Sequence, residues 1–408
     1  MEKQTIAPKT SLWSDTAVRQ AILIFIVLRI FLSVWGVVAI TVNPPPEDAP
    51  DIISQQLGQP SLNEGWTGLL LGPWQRFDSL RYTRIAAEGY AHEPDSAFPP
   101  LYPLGMRLLG RLLGGTHASY LLAGILISNA AFIGLLILLH KVTEKDVGPR
   151  FAPRTVLYLA VFPASFFLLA AYSESLFLLL ALGSLWAGRQ GRFGLAGGLG
   201  FLASLTRLTG WALVVPLAYE FWRQRLGRGK WRIRPAAWSP KLPGEAFAVL
   251  LPGLGTLSFM VYRQIIGMPP LNQLYANYWY QDTSFPGIDV WRAVQAVFFG
   301  VGRRAGDPAM VLDLAIVILL FVTTILAFRY LPRSWGLYAA IMLFFILLPS
   351  APLKPLYSFS RYALAFFTLF FILGIAGQRP WLHRLILYPF AALLLYFSMV
   401  FFMWGWVA

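Results

Sequence analysis

The stretch THASYLLAGILISNAAFIGLLILLH, residues 116–140, decides the fold class of this chain. It contains no Asp, Glu, Lys or Arg, and it is longer than the roughly 20 residues that cross a bilayer as a helix. In lipid, every backbone polar group must be hydrogen-bonded within the protein, which leaves only helices and closed barrels. Barrel strands would alternate polar and apolar residues, and this run does not. It therefore predicts a membrane-spanning helix.

The composition of the whole chain indicates the same surroundings. Of its 408 residues, 57% are hydrophobic and 13% are charged, whereas soluble domains carry roughly 25% charged residues. So little charge cannot cover a water-soluble body of this size. We therefore expect one all-helical integral membrane domain over residues 1–408. Cysteine is absent, which excludes a disulfide framework, a thiolate zinc site and a cysteine nucleophile.

Apolar runs between polar breaks predict a polytopic bundle of about eleven spanning helices. The runs are residues 20–42, 116–140, 155–171, 174–188, 194–206, 209–222, 246–266, 309–328, 336–349, 360–376 and 385–406. The stretch 195–222 is divided at Arg207, because one long helix there would move the basic loop 223–244 to the outer side. That arrangement would oppose the positive-inside rule. Glycines 194, 197, 198 and 200 indicate close helix packing in this region.

The distribution of charge sets the expected orientation. With a cytoplasmic N-terminus, most of the 33 basic residues lie on the inner side. The net charge of +14 is then explained by topology, and we expect no nucleic-acid partner. Two long segments, residues 43–115 and 267–308, become outer loops, and the first should carry short interfacial helices. We expect a prokaryotic cell membrane, or in a eukaryote the endoplasmic reticulum with the active face toward its lumen.

The densest polar and aromatic cluster is WQRFDSLRYTRIAAEGYAHEPDSAFPPLYP, from Trp74 to Pro103 in the first outer loop. Its apolar spacing predicts a short amphipathic helix that begins at Asp78, where free N–H groups favour a carboxylate. Asp78 could simply cap this helix, or it could act as a general base at the membrane surface. The two roles are compatible, since a cap would fix the direction of the carboxylate.

A turn with His92, Glu93 and Asp95 follows that helix. The spacing matches neither a helical zinc motif nor a calcium loop, and solvation of an ordinary loop explains it as well. The chain also lacks the Asp-x-Asp signature of soluble glycosyltransferases. We assign no metal ligand and expect no cofactor to be required, although the sequence leaves metal dependence open.

Other ionisable residues lie at the predicted outer ends of apolar runs. They are Glu174 beside Tyr172, Arg207 in LTRLTG, and Lys354 and Arg361 on either side of YSFS, residues 357–360. Charges at membrane depth are costly and usually face a cavity or an ion-pair partner. Each alone could form a structural ion pair, but the topology puts them all on the side of Asp78. Cations there would stabilise the phosphate released from a polyisoprenoid-phosphate sugar, and one carboxylate would take the proton of the acceptor hydroxyl.

Five stretches carry a family resemblance. They are FDSLRYTRIAAEGY (77–90), AFPPLYP (97–103), AYSESLF (171–177), LTRLTGW (205–211) and SFSRYALAFF (358–367). In these stretches the chain resembles the PIG-V-type mannosyltransferases of glycosylphosphatidylinositol assembly and their prokaryotic relatives. The family usually has Trp-Asp where this chain has Phe77-Asp78, and AFFPLYP where it has AFPPLYP. The resemblance implies a GT-C-like bundle and an inverting mannosyltransferase that uses a polyprenyl- or dolichyl-phosphate mannose donor.

The resemblance also implies residue roles. Asp78 is the expected catalytic base, and Arg207, Arg361 and, as a helper, Lys354 are expected at the donor phosphate. The expected cavity residues are Phe77, Arg81, His92, Glu93, Tyr102, Tyr172, Glu174, Tyr357 and Tyr362. The partners would be the lipid-linked donor, a glycolipid, glycan or protein acceptor, and membrane lipids. The alternatives are a transporter or lipid flippase, or a scaffold subunit; a transporter should show broken helices and ionisable groups near the midplane.

Overall fold

The computed structural model describes residues 15–43, 62, 65–226, 242–302, 304–356 and 358–407. Its α-helices, numbered in chain order, are α1 Thr16–Val42, α2 Gly65–Leu71, α3 Asp78–Glu88, α4 Leu101–Leu112, α5 His117–Asp146, α6 Ala152–Ala160, α7 Glu174–Arg189, α8 Phe193–Ser204, α9 Val214–Phe221, α10 Leu242–Ile265, α11 Leu271–Trp279, α12 Ile288–Phe299, α13 Pro308–Tyr330, α14 Arg333–Ile346, α15 Phe359–Tyr362, α16 Phe367–Ala376 and α17 Pro380–Phe402.

Short 3₁₀ turns and one π turn supplement these helices. The 3₁₀ turns are Gly72–Trp74, Glu93–Ala97, Pro149–Phe151, Ser165–Leu168, Leu208–Leu213 and Ala363–Ala365, and the π turn is Trp222–Leu226. A small antiparallel sheet joins β1, Asp282–Thr283, to β2, Pro349–Ser350, with Asp282 opposite Ser350. The sheet ties the second predicted outer loop to the segment that follows α14.

The expected class, an all-helical polytopic membrane protein, is confirmed. Within the described residues, five helices are long and apolar enough to cross a membrane. They are Thr16–Val42, His117–Asp146, Gly244–Ile265, Ala309–Tyr330 and Pro380–Phe402. Every other predicted run also contains helix, but in shorter or broken pieces. The chain is an integral membrane protein.

Two predicted runs are interrupted, and both interruptions lie at the same end of the bundle. The run 155–171 stops being α-helical at Ala160, because Pro163 follows and cannot supply a backbone N–H to the next turn. The run 360–376 bends by 82° between Phe359–Ala365 and Phe367–Ala376. Phe366, with φ −93° and ψ 83°, lies at this bend outside helical geometry. These breaks hold Glu174 and Arg361 at helix ends.

Glycine allows α8 and α10 to pack backbone against backbone. A Cβ on Gly197 would lie 2.0 Å from the Ala248 carbonyl oxygen, and one on Gly200 would lie 2.5 Å from Pro252. Close packing is therefore confirmed for these two residues. It is wrong for Gly194 and Gly198, because an added Cβ there would meet nothing within 4 Å.

At the other end of the bundle, a buried ion network joins four helices. Arg189 of α7 donates to Asp146 at the end of α5 at 2.7 and 3.0 Å, and to Glu220 of α9 at 3.1 Å. Ser334 and Trp335, at the start of α14, complete it: Arg189 donates to the Ser334 hydroxyl, and the Trp335 indole donates to Asp146. The network adds polar contacts to the apolar packing at this end of the bundle, where the Trp335 ring also packs on Phe371.

Arg189→Ala should lower the free energy of unfolding by about 3–5 kcal/mol, because it removes the main partner of a buried carboxylate. Thermal melting of the purified protein in detergent measures this loss as a lower Tm. Arg192→Ala is the matched control: Arg192 is exposed, so its loss should change stability by less than about 0.5 kcal/mol. Equal Tm shifts for the two variants would contradict the network's role.

Candidate active site

The turn before α3 sets the position of Asp78. Phe77 has φ 50° and ψ −115°, a conformation that bulky residues adopt only when neighbours enforce it. Here Tyr172 does so, since its hydroxyl donates to the Arg76 carbonyl at 3.1 Å and accepts the Asp78 backbone N–H at 3.3 Å. Asp78 is the first residue of α3 rather than its cap, and its side chain makes no capping hydrogen bond. The capping interpretation is wrong.

The Asp78 carboxylate is instead paired with Arg361. The Arg361 Nη1 donates to Asp78 Oδ2 at 2.6 Å, and its Nε donates to Glu174 Oε1. The same Glu174 oxygen accepts a second hydrogen bond from Arg207 Nη1. The four side chains are 15%, 10%, 5% and 20% exposed for Asp78, Arg361, Glu174 and Arg207, so the cluster is largely desolvated. We call these four residues the charge quartet.

The charge quartet carries two carboxylates and two guanidinium groups, so its formal charge is zero. The two oxygens of Glu174 differ in their hydrogen bonding, however. Within the described part of the chain, the second Glu174 oxygen, Oε2, is buried and has no hydrogen-bond partner. Arg361 also lies 4.8 Å from the centroid of the Tyr172 ring and 5.0 Å from that of Phe167, close enough for cation–π attraction. Arg361 is therefore the central cation of the site.

Arg76 anchors the Asp78 turn to the C-terminal end of α17. Its Nε and Nη2 donate to the Phe402 carbonyl at 2.9 and 2.7 Å, and its Nη1 donates to the carbonyls of Gly72 and Gln75 at 2.5 and 3.0 Å. Its guanidinium lies 4.2 Å from the Trp404 ring centroid. Sequence reasoning missed this residue, because backbone carbonyls far away in the chain leave no signal beside Arg76.

Asp78, Arg207 and Arg361 open onto a cavity of about 480 Å³. This volume is in the range of small-molecule binding sites. Two groups within the remaining lining have different chemistry. Leu208, Phe345, Ile346 and Leu348 are apolar, whereas Asn272, Tyr275, Trp279, Gln281 and Asp282 are polar or amphipathic. We call this second group the loop wall. The cavity thus has a charged floor, an apolar side and a polar aromatic side.

The loop wall belongs to the second predicted outer loop, and backbone hydrogen bonds hold it in place. The Gln281 N–H donates to the Tyr275 carbonyl at 3.1 Å, which closes the end of α11. The Ser284 N–H donates to the Leu348 carbonyl at 3.1 Å, next to the β1–β2 pair. Sequence reasoning named none of these residues. The only signal was the length of loop 267–308, which is typical of functional loops.

Several residues predicted for the cavity lie beneath it or beside it. Tyr362 lines the cavity, and Tyr172 and Glu174 are buried under it. Phe77 packs on Trp404 and Trp406 with centroid distances of 5.7 and 4.9 Å. Trp406 in turn lines the cavity, so Phe77 contacts the cavity through aromatic residues of the C-terminal segment.

Lys354, the predicted helper at the phosphate, and Tyr102, a predicted cavity residue, are not among the residues that line the cavity. Lys354 is exposed, and its ammonium nitrogen lies 5.8 Å from the Trp406 ring centroid. Tyr102 is fully buried, and its hydroxyl meets the Gly124 carbonyl and the Ser128 hydroxyl instead of the cavity. Tyr357 lies outside the described residues.

The turn after α3 is held by ion pairs away from the cavity lining. Arg84 donates to both oxygens of the buried Asp95 at 2.6 and 2.7 Å, and Arg81 lies 3.5 Å from the same carboxylate. His92 approaches Glu88 at 3.6 Å, and Glu93 accepts a hydrogen bond from the Tyr278 hydroxyl. None of these residues lines the cavity. Among the described residues, no cluster of three or more His, Asp or Glu could hold a metal ion.

Two tyrosines brace the floor of the cavity, and one of them, Tyr82, also lines the cavity. Tyr82 of α3 makes a 2.7 Å hydrogen bond to the Ser173 hydroxyl, directly before Glu174. Burial raises the pKa of Tyr82 above its ordinary value, so this hydrogen bond comes from a neutral phenol. Tyr172 holds the other side of the turn, as described above. The aromatic supports therefore fix Asp78 and Glu174 without adding charge.

Comparison with known families agrees with the motifs. A family model described as "Mannosyltransferase (PIG-V)" matches residues 18–221, which is half of the 408-residue chain. The chain belongs to the PIG-V mannosyltransferase family. The predicted resemblance is thereby confirmed. The matched region contains three members of the charge quartet, and Arg361 lies beyond it.

Curated relatives and solved structures are more distant. The chain is 30% identical over 159 residues to GPI mannosyltransferase 2 of Yarrowia lipolytica, covering 37% of this chain and 43% of that protein. It is 34% identical over 174 residues to GPI alpha-1,6-mannosyltransferase 2 of Mus musculus, covering 41% and 33%. The aligned region thus spans less than half of these relatives. ArnT from Cupriavidus metallidurans bound to undecaprenyl phosphate is similar with a TM-score of 0.45, 17% identity and coverage of 75% of this chain and 58% of that chain.

Arg76→Met should lower the Tm and release the C-terminal segment. The substitution leaves the buried carbonyls of Gly72 and Phe402 without their donor, at about 1–3 kcal/mol for each unsatisfied group. Limited proteolysis should then cut the segment after Phe402 faster than in the wild type. Arg81→Met is the control, since Asp95 keeps Arg84 and the Tm should change less. A C-terminal segment as protected in Arg76→Met as in the wild type would refute the anchoring role.

Proposed function

We propose that this protein is a membrane mannosyltransferase that takes mannose from a polyprenyl- or dolichyl-phosphate donor and transfers it, with inversion, to an acceptor hydroxyl. Family membership supports the sugar and the lipid-linked donor. The observation that carries the proposal is the charge quartet, in which one carboxylate and two guanidinium groups face a single cavity. A lipid phosphate needs cations, and an attacking hydroxyl needs a base.

The proposed reaction is one displacement at the anomeric carbon. Asp78 removes the proton of the acceptor hydroxyl while that oxygen forms a bond to the carbon. The bond from the carbon to the phosphate oxygen breaks on the opposite face, and its electron pair stays with the lipid phosphate. The phosphate charge grows from −1 to −2 as Asp78 becomes neutral. Arg361 and Arg207 stabilise this growing charge by donating hydrogen bonds to the phosphate.

The lining of the cavity suggests where each substrate lies. The donor phosphate lies at Arg207 and Arg361, since among the described lining residues these are the only cations. The hydroxylated ring of the acceptor lies against Tyr275 and Trp279 of the loop wall, because aromatic faces pack well on the apolar face of a sugar. The apolar side, around Leu208 and Phe345, accommodates the first isoprene units.

We further propose that this site opens on the outer side of the membrane, with the N-terminus in the cytoplasm. The basic loop 223–244 supports that orientation through the positive-inside rule. The ion network around Arg189 then lies at the cytoplasmic end. A prokaryotic cell membrane, or the lumenal side of the endoplasmic reticulum, would expose the cavity to a lipid-linked donor. The acceptor is a glycolipid, a glycan or a protein.

Asp78→Asn should abolish mannosyl transfer while the protein still folds, since the amide keeps the shape of the carboxylate but cannot take a proton. Turnover should fall by at least about 100-fold, the contribution of a general base. Transfer of radiolabelled mannose by purified protein in detergent is the measurement. Glu88→Gln, an exposed position at the end of the same helix, is the matched control and should keep wild-type turnover. Near-normal transfer by Asp78→Asn would remove Asp78 from the role.

Arg361→Ala should raise the KM for the donor more than the KM for the acceptor, because in the proposed reaction only the donor carries a phosphate that the guanidinium binds. Hydrogen bonds to a charged group contribute about 1.5–3 kcal/mol each, so donor use should fall at least about tenfold. Equal losses for donor and acceptor would indicate a purely structural ion pair. Lack of any sugar transfer by wild-type protein, together with lipid movement between leaflets of a vesicle, would favour the flippase alternative.

A further inference from the structure

The charge quartet has no surplus positive charge. Arg361 is paired with both Asp78 and Glu174, and Arg207 is paired with Glu174. A site that must bind an anionic lipid phosphate would be expected to present free cations. Here the cations at the cavity are already neutralised. An incoming phosphate can gain Arg361 only by taking it from one of its two carboxylates.

The geometry distinguishes the two carboxylates. Glu174 is 5% exposed, and its Oε1 accepts from both guanidinium groups, so it cannot leave without stranding a buried charge. Asp78 is 15% exposed, lines the cavity, and meets Arg361 through one hydrogen bond of 2.6 Å. Asp78 is therefore the partner that Arg361 can release, and Glu174 is the fixed anchor of both arginines.

We propose that Arg361 changes partner during turnover, from the Asp78 carboxylate to the lipid phosphate, and that donor binding begins this exchange and proton uptake by Asp78 completes it. The proposal rests on the proposed transfer reaction. When Asp78 accepts the acceptor proton it loses its charge, and its attraction to Arg361 falls at the moment the phosphate gains a second negative charge. Arg361 therefore leaves Asp78 and binds the phosphate. The total charge of donor phosphate, Asp78 and the two arginines stays constant throughout the step.

This exchange has a consequence for substrate order. Ionised Asp78 competes with the donor phosphate for Arg361, and its charge also repels the phosphate. Both effects weaken donor binding to the resting site. A phosphate that draws Arg361 away removes the hydrogen bond from Arg361 to Asp78 Oδ2, which leaves that oxygen available to the acceptor hydroxyl. Donor binding therefore frees Asp78 to act as the base, and Asp78 stays paired with Arg361 when no donor is present.

Binding of farnesyl phosphate to the full chain in detergent micelles tests the exchange without any acceptor. Asp78→Asn imitates the protonated carboxylate, so it should bind farnesyl phosphate on the order of tenfold tighter than the wild type although it transfers no sugar. Isothermal titration calorimetry at fixed ionic strength gives the Kd values. A general base with no link to Arg361 would leave the Kd unchanged.

Two further variants separate the exchange from simple charge repulsion. In an Arg361→Ala background, Asp78→Asn should tighten binding much less, because only the repulsion between Asp78 and the phosphate is then removed; a gain of the same size there would overturn the exchange. Asp282→Asn, which removes a carboxylate from the loop wall of the same cavity, should change the Kd by less than about twofold. Asp78→Ala provides a second variant if the asparagine form does not fold.

The outcomes also separate this proposal from the proposed function. Farnesyl phosphate binding by the wild type with no gain in Asp78→Asn would overturn the exchange and leave the transferase intact. Absence of binding in every variant would overturn the lipid-phosphate donor and the exchange together. Detectable binding only in Asp78→Asn would support the exchange in its strongest form.

Discussion

The site depends on one buried oxygen atom, Glu174 Oε1, which accepts hydrogen bonds from two arginines that are far apart in the chain. A buried carboxylate is tolerated only when its charge is compensated. Glu174 therefore forces Arg207 and Arg361 to converge, and Arg361 then meets Asp78 on its other side. The start of α7 at Glu174 is thereby joined to the end of α8, to the interrupted run 360–376 and, through Arg361, to the start of α3. These ion pairs explain why the cavity has a charged floor in an apolar bundle.

Broken helices make this convergence possible. A continuous helix through residues 155–171 or 360–376 would satisfy its own backbone and carry Glu174 or Arg361 past the cavity. The break near Pro163 and the 82° bend before Phe367 stop the helices at the right depth. Side-chain hydrogen bonds satisfy backbone carbonyls that these breaks leave without a helical partner, such as the bond from the Ser128 hydroxyl to the Tyr172 carbonyl at 2.7 Å. The long apolar runs place the bundle in the membrane, and the breaks in two of these runs create the helix ends at which the charged residues of the candidate site lie.

Sequence reasoning found the helical runs and the ionisable residues at one end, because hydrophobic length and charge placement follow directly from the bilayer. It could not show that Asp78 would contact Arg361 rather than cap α3, since that choice depends on a residue 283 positions away. The loop wall and the anchor at Arg76 were missed for a related reason. Tyr275 and Trp279 look like ordinary aromatic residues of a loop, and the carbonyl of Phe402, which Arg76 binds, has no side-chain signature.

The two ion clusters of the bundle differ in how completely their carboxylates are hydrogen-bonded. At the Arg189 end, Asp146 accepts from Arg189 and the Trp335 indole, and Glu220 accepts from Arg189, Arg223 and Gln224. Such carboxylates are saturated, and they hold helices together. In the charge quartet, one oxygen of Glu174 lacks any partner within the described residues, and Asp78 faces the cavity with one ion pair. Natural proteins satisfy buried polar groups wherever they can, so an unsaturated, neutral cluster beside a cavity is the arrangement expected of a site that completes its bonding with a substrate.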